Sequence, residues 1–547
     1  MCRYTYPLIL IILSCSIFSA CDDAEETPDT EAPEITVKSP NENQHVSGTI
    51  TIEATAEDRD NELSMQLFLD GNLLGESSGG AISAQSDTKT LTEGIHTIKI
   101  TATDMTGNAS EKTFDVDVRN ILLKVHVSSN YVPEYAQIYF ALSQNDGSLL
   151  AVNQVENGSI VTVPTPSNFN PDSSFVLTQY FYLFQPASDI SIAYLIKSMN
   201  VYAGLNAGEF SLPEYEHWVP IVGTHQVEVT ELPTDNHLGH LQGRNTGSIY
   251  GNFGNDGKFT AELGMRSNTS DLYFSLTAGT AVPVYNYISS IHAGGSTHFS
   301  VTGLPEMQKA EVATRDIAGS YECHVYSDDA SFSVNFSSAN GFFDDGKIPI
   351  YYPSTIYPQY VFSLRYQLGN STYENRVRGA TPPASFQYLN AAASNVNYAN
   401  KKLKVTSTGS FDVMTISGGS SNYDGNSQSL DLYYVSFPNG TRNQITIPNT
   451  PAELSSLEFK SPDDFSFNSA GFYDYLGLSG TNDYQSKIIF SADNVLRQNR
   501  DHISDFLQIT TTSAGGRVSS HKKMTLPKRL ETILQNHFPV VEFEVSH

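Results

Sequence analysis

The stretch Thr49-Ile50-Thr51-Ile52-Glu53-Ala54-Thr55-Ala56 alternates polar and apolar side chains without a break. The same period of two runs through Met65–Leu69, His96–Ala102 and Phe114–Val118. A helix buries every third or fourth residue, so this period demands extended strands with one dry and one wet face. Later runs read the same way: Gln137–Leu142, Ile160–Val163, Lys258–Leu263, Asp271–Leu276, Ser331–Phe336 and Lys402–Thr406. Asp70-Gly71, Asn145-Asp146-Gly147-Ser148, Asn157-Gly158 and Asn252–Gly257 punctuate them as turns. Turn signals recur about every ten residues, the rhythm of sandwiches or a barrel. The fold class predicted is all-β, built from several antiparallel β-sandwich-type domains with short helices near the C-terminus. One helix is expected over Thr525–Leu534, with a Thr cap and an early Pro, and a shorter one near Ser491-Ala492-Asp493.

Length and charge bound the rest. A chain of 547 residues holds about three to five domains at roughly 100–200 residues each. Thirty-one Lys and Arg stand against 59 Asp and Glu, a net charge of −28. Nucleic acid is excluded as a partner, because phosphate binding needs a basic footprint. Breaks in the pattern divide residues 120–547 into β-rich stretches at 120–235, 236–398 and 399–547.

The first twenty residues read as a processing segment. Arg3 precedes an apolar run from Pro7 to Phe18, too short to span a membrane as a helix. Phe18-Ser19-Ala20-Cys21 resembles the lipobox of bacterial lipoproteins, which implies lipidation of Cys21 and a membrane anchor there. Residues 21–33 are acidic and contain Pro28 and Pro33 but no aromatic residue, the composition of a solvated tether. They also look like the short acidic signal that sends some lipoproteins to the outer cell surface. The localisation expected is therefore outer membrane or cell surface. Cys2, Cys15 and Cys21 belong to this region, which leaves Cys323 as a buried thiol expected in a strand.

Residues 34–119 carry a second resemblance. Pro33-Glu34-Ile35, Val46-Ser47-Gly48-Thr49, Leu69-Asp70-Gly71, Gly94-Ile95-His96-Thr97 and Asp104-Met105-Thr106-Gly107-Asn108 follow the order and spacing of bacterial immunoglobulin-like domains. The resemblance implies a rigid stalk or spacer and says nothing about the rest of the chain.

Candidate sites are few. Glu57–Glu62 together with Asp104 offers oxygen ligands of the kind calcium takes, with Asp58, Asp60 and Asp104 as the set to test. The plain reading, an acidic loop in water, is preferred because EF-hand spacing is absent. Tyr351, Tyr352, Tyr357 and Tyr360 crowd into ten positions with Pro353 and Pro358, so a loop or sheet edge is expected. Such rings either present flat, polar-tipped faces to a sugar or protein, or cover a sheet end. Phe175 and Tyr180–Phe184 read as core.

Several motifs fail on context. Gly75-Glu76-Ser77-Ser78-Gly79 matches a nucleophile elbow in letters, but no helix follows it. His237-Leu238-Gly239-His240 lacks the helix that would bring both rings to one face. Ser519-Ser520-His521-Lys522 has no companion motif.

The function expected is a non-catalytic, surface-anchored lipoprotein whose β-rich body binds an extracellular glycan or a protein partner. One alternative is a polysaccharide-acting hydrolase with an unidentified carboxylate pair, for which Asp344-Asp345 and Asp463-Asp464 are loose candidates. The other is a structural subunit of a surface assembly.

Overall fold

The computed structural model describes residues 29–507, apart from internal stretches of which the longest are 213–220, 328–334, 476–483 and 491–501. Cys21, Asp60, Asp344-Asp345 and both helices expected near the C-terminus lie outside the described residues. Among the described residues the chain is all-β, as its alternation requires, with helical segments of three to six residues only at Thr88–Thr90, Ala452–Leu457, Pro462–Asp464 and Tyr484–Ile489. Two compact units divide it, the first ending at Val118 and the second beginning at Arg119.

The first unit is a sandwich of two sheets. Glu34–Ser39, Thr49–Glu57 and Ala81–Asp87 form one. His45–Val46, Ala109–Val118, Gly94–Thr103, Ser64–Leu69 and Asn72–Ser78 form the other. Every second side chain of Thr49–Glu57 is buried, and Ile52 meets Leu67, Ile98, Ile100 and Val116 in a closed core. Burying each such side chain contributes about 1.5–3 kcal/mol. At the Asp70-Gly71 turn both residues are left-handed, φ 51° and 79°, the two-residue hairpin that suits the twist of the paired strands.

The second unit is dominated by one twelve-stranded sheet. Ala193–Leu205 and Ser427–Pro438, fourth and fifth in its order, lie parallel; its other pairings are antiparallel. The sheet takes strands from all three stretches 120–235, 236–398 and 399–547. A parallel pair must be joined by a long crossover, so no local turn signal announces it. Both faces of the central strands are covered. One packs on Leu123, Val125, Val161 and Val163. The other packs on Leu403, Val405, Ile445 and Leu454, beside Phe465 and Phe467. Double coverage explains why Phe175–Phe181 is buried at every position rather than at alternate ones.

Within the same unit, Gly223–Thr230, Lys258–Met265 and Ser296–Ser300 face Ser248–Gly251, His237–Gln242, Thr269–Ala278 and Val284–His292 across a smaller core. The outer side of that second sheet contributes Tyr273 and Tyr285 to a further cluster with Cys323, Ile348, Tyr360 and Phe362.

Candidate functional site

The acidic site of the first unit is built by a turn. Between Gly94–Thr103 and Ala109–Val118 the chain reverses over Asp104–Asn108, and the Asp104 carboxylate organises the reversal. Its Oδ1 accepts the Asn108 backbone N–H at 2.7 Å. Its Oδ2 accepts Asn108 Nδ2 at 2.8 Å and Thr106 Oγ1 at 3.0 Å. Burial acts to raise the pKa of this group, but the hydrogen bonds from Asn108, Thr106 and Gly107 outweigh it and hold it below the usual carboxylate value. Asn108 Nδ2 also donates to the Asp29 carbonyl at 3.0 Å, which ties the acidic tether to the turn.

Asp58, just after Thr49–Glu57, completes the cluster: carboxylate oxygens of Asp29, Asp58 and Asp104 all lie within 4.8 Å of one another. Oδ2 of Asp29 and Oδ2 of Asp58 are shielded from solvent, and no hydrogen-bond donor among the described residues reaches either. Carboxylate oxygens this close, two of them without a donor, could hold a cation, and an all-oxygen set suits Ca²⁺. Three carboxylates are fewer than the six to eight ligands calcium takes, so water or a further loop oxygen would complete the shell. Asp58 and Asp104 are brought together as the sequence grouped them. Asp29 was missed, because nothing in an acidic linker marks the one residue that docks.

The tyrosine segment has two characters. Tyr360 is fully buried and Tyr352 nearly so, both inside the cluster around Phe362, so neither ring offers a face to a ligand. The Tyr360 hydroxyl accepts the backbone N–H groups of Ile356 and Tyr357, each at 3.2 Å, and shapes the loop from within. Tyr351 and Tyr357 are half-buried. Tyr357 Oη donates to Asp271 Oδ2 at 3.2 Å, Tyr287 Oη donates to the same oxygen at 3.3 Å, and the Arg244 backbone N–H donates to Oδ1 at 2.7 Å. The expectation of four presented rings narrows to two, because Tyr352 ends one strand and Tyr360 begins another, both inside the core cluster.

The remaining candidates resolve into structure. His237 and His240 lie on one strand, three residues apart, and so point to opposite faces. His225 Nδ1 meets the His292 carbonyl and its Nε2 meets Thr297 Oγ1, both at 2.8 Å, a satisfied core histidine. Cys323 is buried as expected, and burial pushes its thiol up to about 12. Gly75–Gly79 runs from one strand into the next with no helix. Asp463 is exposed, pairs with Lys401 at 3.1 Å, and sits with Asp464 in a single helical turn. A carboxyl pair unseen in the sequence is Asp412 with Asp474. The register Val413↔Tyr473 sets the two opposite each other across antiparallel strands, and their side chains are hydrogen-bonded. Burial first, then the Asp412 charge and that hydrogen bond, raise Asp474 to about 6, so the pair holds one proton in mildly acidic solution.

Residues 33–100 match the family model of the bacterial Ig domain, so the first unit is a bacterial immunoglobulin-like domain. No curated protein matches the chain. Among solved structures, the endo-β-1,4-mannanase from Thermotoga petrophila is 14% identical over 17% of this chain and 20% of its own, with a TM-score of 0.15. The chain thus spans about a fifth of that enzyme. A bacterial ice-binding adhesin is 9% identical over 50% of this chain and 100% of its own, TM-score 0.15. The SGBP-B protein of the Bacteroides ovatus mixed-linkage glucan utilization locus is 10% identical over 59% of this chain and 93% of its own, TM-score 0.15.

Proposed function

We propose that the chain is a lipid-anchored surface protein without catalytic activity, in which the immunoglobulin-like unit is a stalk and the body from Arg119 onward binds an extracellular glycan or protein. The observation that carries this reading is the order along the chain. A lipobox-like Cys21 is followed by an acidic tether, an immunoglobulin-like unit and a large all-β body. Asp29, Asp58 and Asp104 would hold a calcium ion where the tether joins the stalk, fixing its departure angle.

A hydrolase reading has one specific observation to weigh, the Asp412–Asp474 pair. Glycoside hydrolysis needs carboxyl groups about 5–10 Å apart with a sugar or water between them. Two carboxyls in hydrogen-bond contact leave no such room.

The test is metabolic labelling of cells expressing the full chain with a palmitate analogue, followed by protease treatment of intact cells. Wild type is expected to carry label and to be shaved from the surface, and Cys21→Ala to lose the label. Label persisting in Cys21→Ala, or a chain protected from protease until the cells are lysed, would sink the proposal.

A further inference from the structure

The layer that covers one face of the twelve-stranded sheet stops part-way along the strands. Tyr180, Met199 and Tyr433 lie beneath it, and Phe459 at its rim meets the Tyr180 ring edge-on at 5.0 Å. Side chains two residues further along each strand point the same way but are only partly covered. Register then lines up Gln137, Tyr182, Lys197, Asp431 and Ser420 directly opposite one another on five consecutive strands. At about 4.8 Å per strand that row is roughly 19 Å long. A second row beside it sets Phe184 against Leu195 and Ser429. Phe184 is 48% exposed and Tyr182 is half-buried, although the run they belong to reads as core.

The floor has a wall. Glu458 is left-handed and turns the chain down onto the sheet, where its carbonyl accepts Lys197 Nζ at 2.8 Å. Lys460 Nζ stands 5.5 Å above the Tyr433 ring. The result is a shelf with aromatic rings at one end, an ammonium and a carboxylate at the other, and a step along its side.

This chemistry selects its occupant. A pyranose ring has an apolar C–H face, which lies flat on an aromatic ring, and a rim of hydroxyls, each of which both donates and accepts. Such a rim can satisfy an acceptor (Asp431), a donor (Lys197) and an amide (Gln137) side by side, which an apolar protein surface cannot. The length of the row calls for several sugars in line. Lys197 and Lys460 are balanced by Asp431 and Glu458, which leaves the shelf close to neutral, while the whole chain carries −28, so a polyanion would be repelled on approach.

We infer that this face is a binding platform for a neutral, linear polysaccharide, its rings stacked on Tyr182 and Phe184 and its hydroxyls held by Gln137, Lys197 and Asp431. The inference rests on the reading of the body as a recognition module and supplies that reading with a site and a ligand class.

The test is affinity electrophoresis of the full mature chain through gels containing β-1,4-glucan, β-mannan, xylan or α-glucan, with alginate and polygalacturonate as anionic probes. At least one neutral polymer should retard the chain. Tyr182→Ala and Phe184→Ala should each weaken that retardation about tenfold, the scale of a lost aromatic contact, and Asp431→Asn should weaken it too. Melting temperatures unchanged from the parent would show that the variants fold. Retardation that survives both aromatic substitutions would place glycan binding elsewhere, sinking the platform but not the recognition role. Retardation by the anionic probes alone, or by none, would overturn the neutral-glycan assignment, while the surface-anchoring test stands on its own.

Discussion

Stability of the immunoglobulin-like unit should depend on pH through one histidine. His96 is nearly buried, with Nδ1 2.6 Å from Asp70 Oδ2 and Nε2 2.8 Å from the Thr92 carbonyl. Both partners are acceptors, so the ring satisfies both only as the doubly protonated cation. Burial alone would lower its pKa. The hydrogen bonds to Asp70 and to the Thr92 carbonyl, together with the Asp70 charge, reverse that and raise it above 6.5. For Asp70, burial acts upward, but the His96 hydrogen bond, the Thr97 N–H and the His96 charge bring it below 3.8. The sign follows by linkage: the His96 contribution is complete below about pH 6.5 and is lost as pH rises through the folded-state pKa. The Asp70 contribution is present above about pH 4 and is lost as pH falls through its own folded-state pKa. Hydrogen bonds to charged groups contribute about 1.5–3 kcal/mol when dry. The Asp70 side chain is 39% exposed, so solvent weakens the pair and about 2 kcal/mol is the figure to expect for the whole arrangement. In a domain of this size that corresponds to roughly 10 °C in melting temperature. The immunoglobulin-like unit has its own closed core, so thermal melts of residues 29–119 between pH 4 and 9 measure it directly. Wild type should lose stability from pH 6 toward 9, and His96→Ala should be flat there. Asp70→Asn keeps a residue that tolerates the left-handed turn while removing the charge, and should flatten the same limb. A gap between wild type and His96→Ala that stays constant from pH 5 to 9 would show that the imidazole is neutral and the reasoning wrong.

Three further outcomes are expected. Calcium at about 1 mM, in the range extracellular modules use, should raise the melting temperature of the immunoglobulin-like unit. Asp58→Asn should abolish the rise, and an unchanged melt with and without chelator counts against the cluster as a metal site. Asp474→Asn replaces a carboxyl raised to about 6 with an amide that can donate to Asp412. Because the folded state binds the extra proton between about pH 4 and 6, wild-type stability should fall across that window and the variant should be both flatter and more stable at pH 7.5, read by hydrogen exchange in Val413–Tyr423. Tyr360→Phe deprives the Ile356 and Tyr357 N–H groups of their acceptor inside the fold and should cost about 1–2 kcal/mol, visible as faster exchange of those two amides.

What was legible in the sequence, and what was not, separates by range. Alternation in Thr49–Ala56 and the Asp70-Gly71 turn are local signals, and the strands and hairpin they predict are present. A lone cysteine reads as core because free Cys is among the most buried residue types, and Cys323 is core. The parallel pairing of Ala193–Leu205 with Ser427–Pro438 has no such signal, since neither strand contains anything that names its partner. Asp29 is invisible for the same reason, because its role depends on Asn108, which reaches it from the far end of the unit.

The shelf at Tyr182 and Phe184 shows why the most interesting surface is the hardest to read. A strand covered on both faces need not alternate, so Tyr180–Phe184, apolar at five successive positions, carries no alternation from which exposure could be inferred. Where the covering layer ends at Phe459, the strand continues unchanged in composition and only its neighbours differ. An aromatic residue that is core at Tyr180 becomes surface four residues later at Phe184. Those neighbours come from residues 457–460, more than two hundred positions away in the chain, so the exposure belongs to the tertiary structure alone. The same argument explains the polar companions. Lys197 and Asp431 are the one charged residue of their respective strands, at positions where a charge would be costly if the layer extended over them. Their presence marks the boundary of the cover, and the two rings beside them are left open by the same boundary.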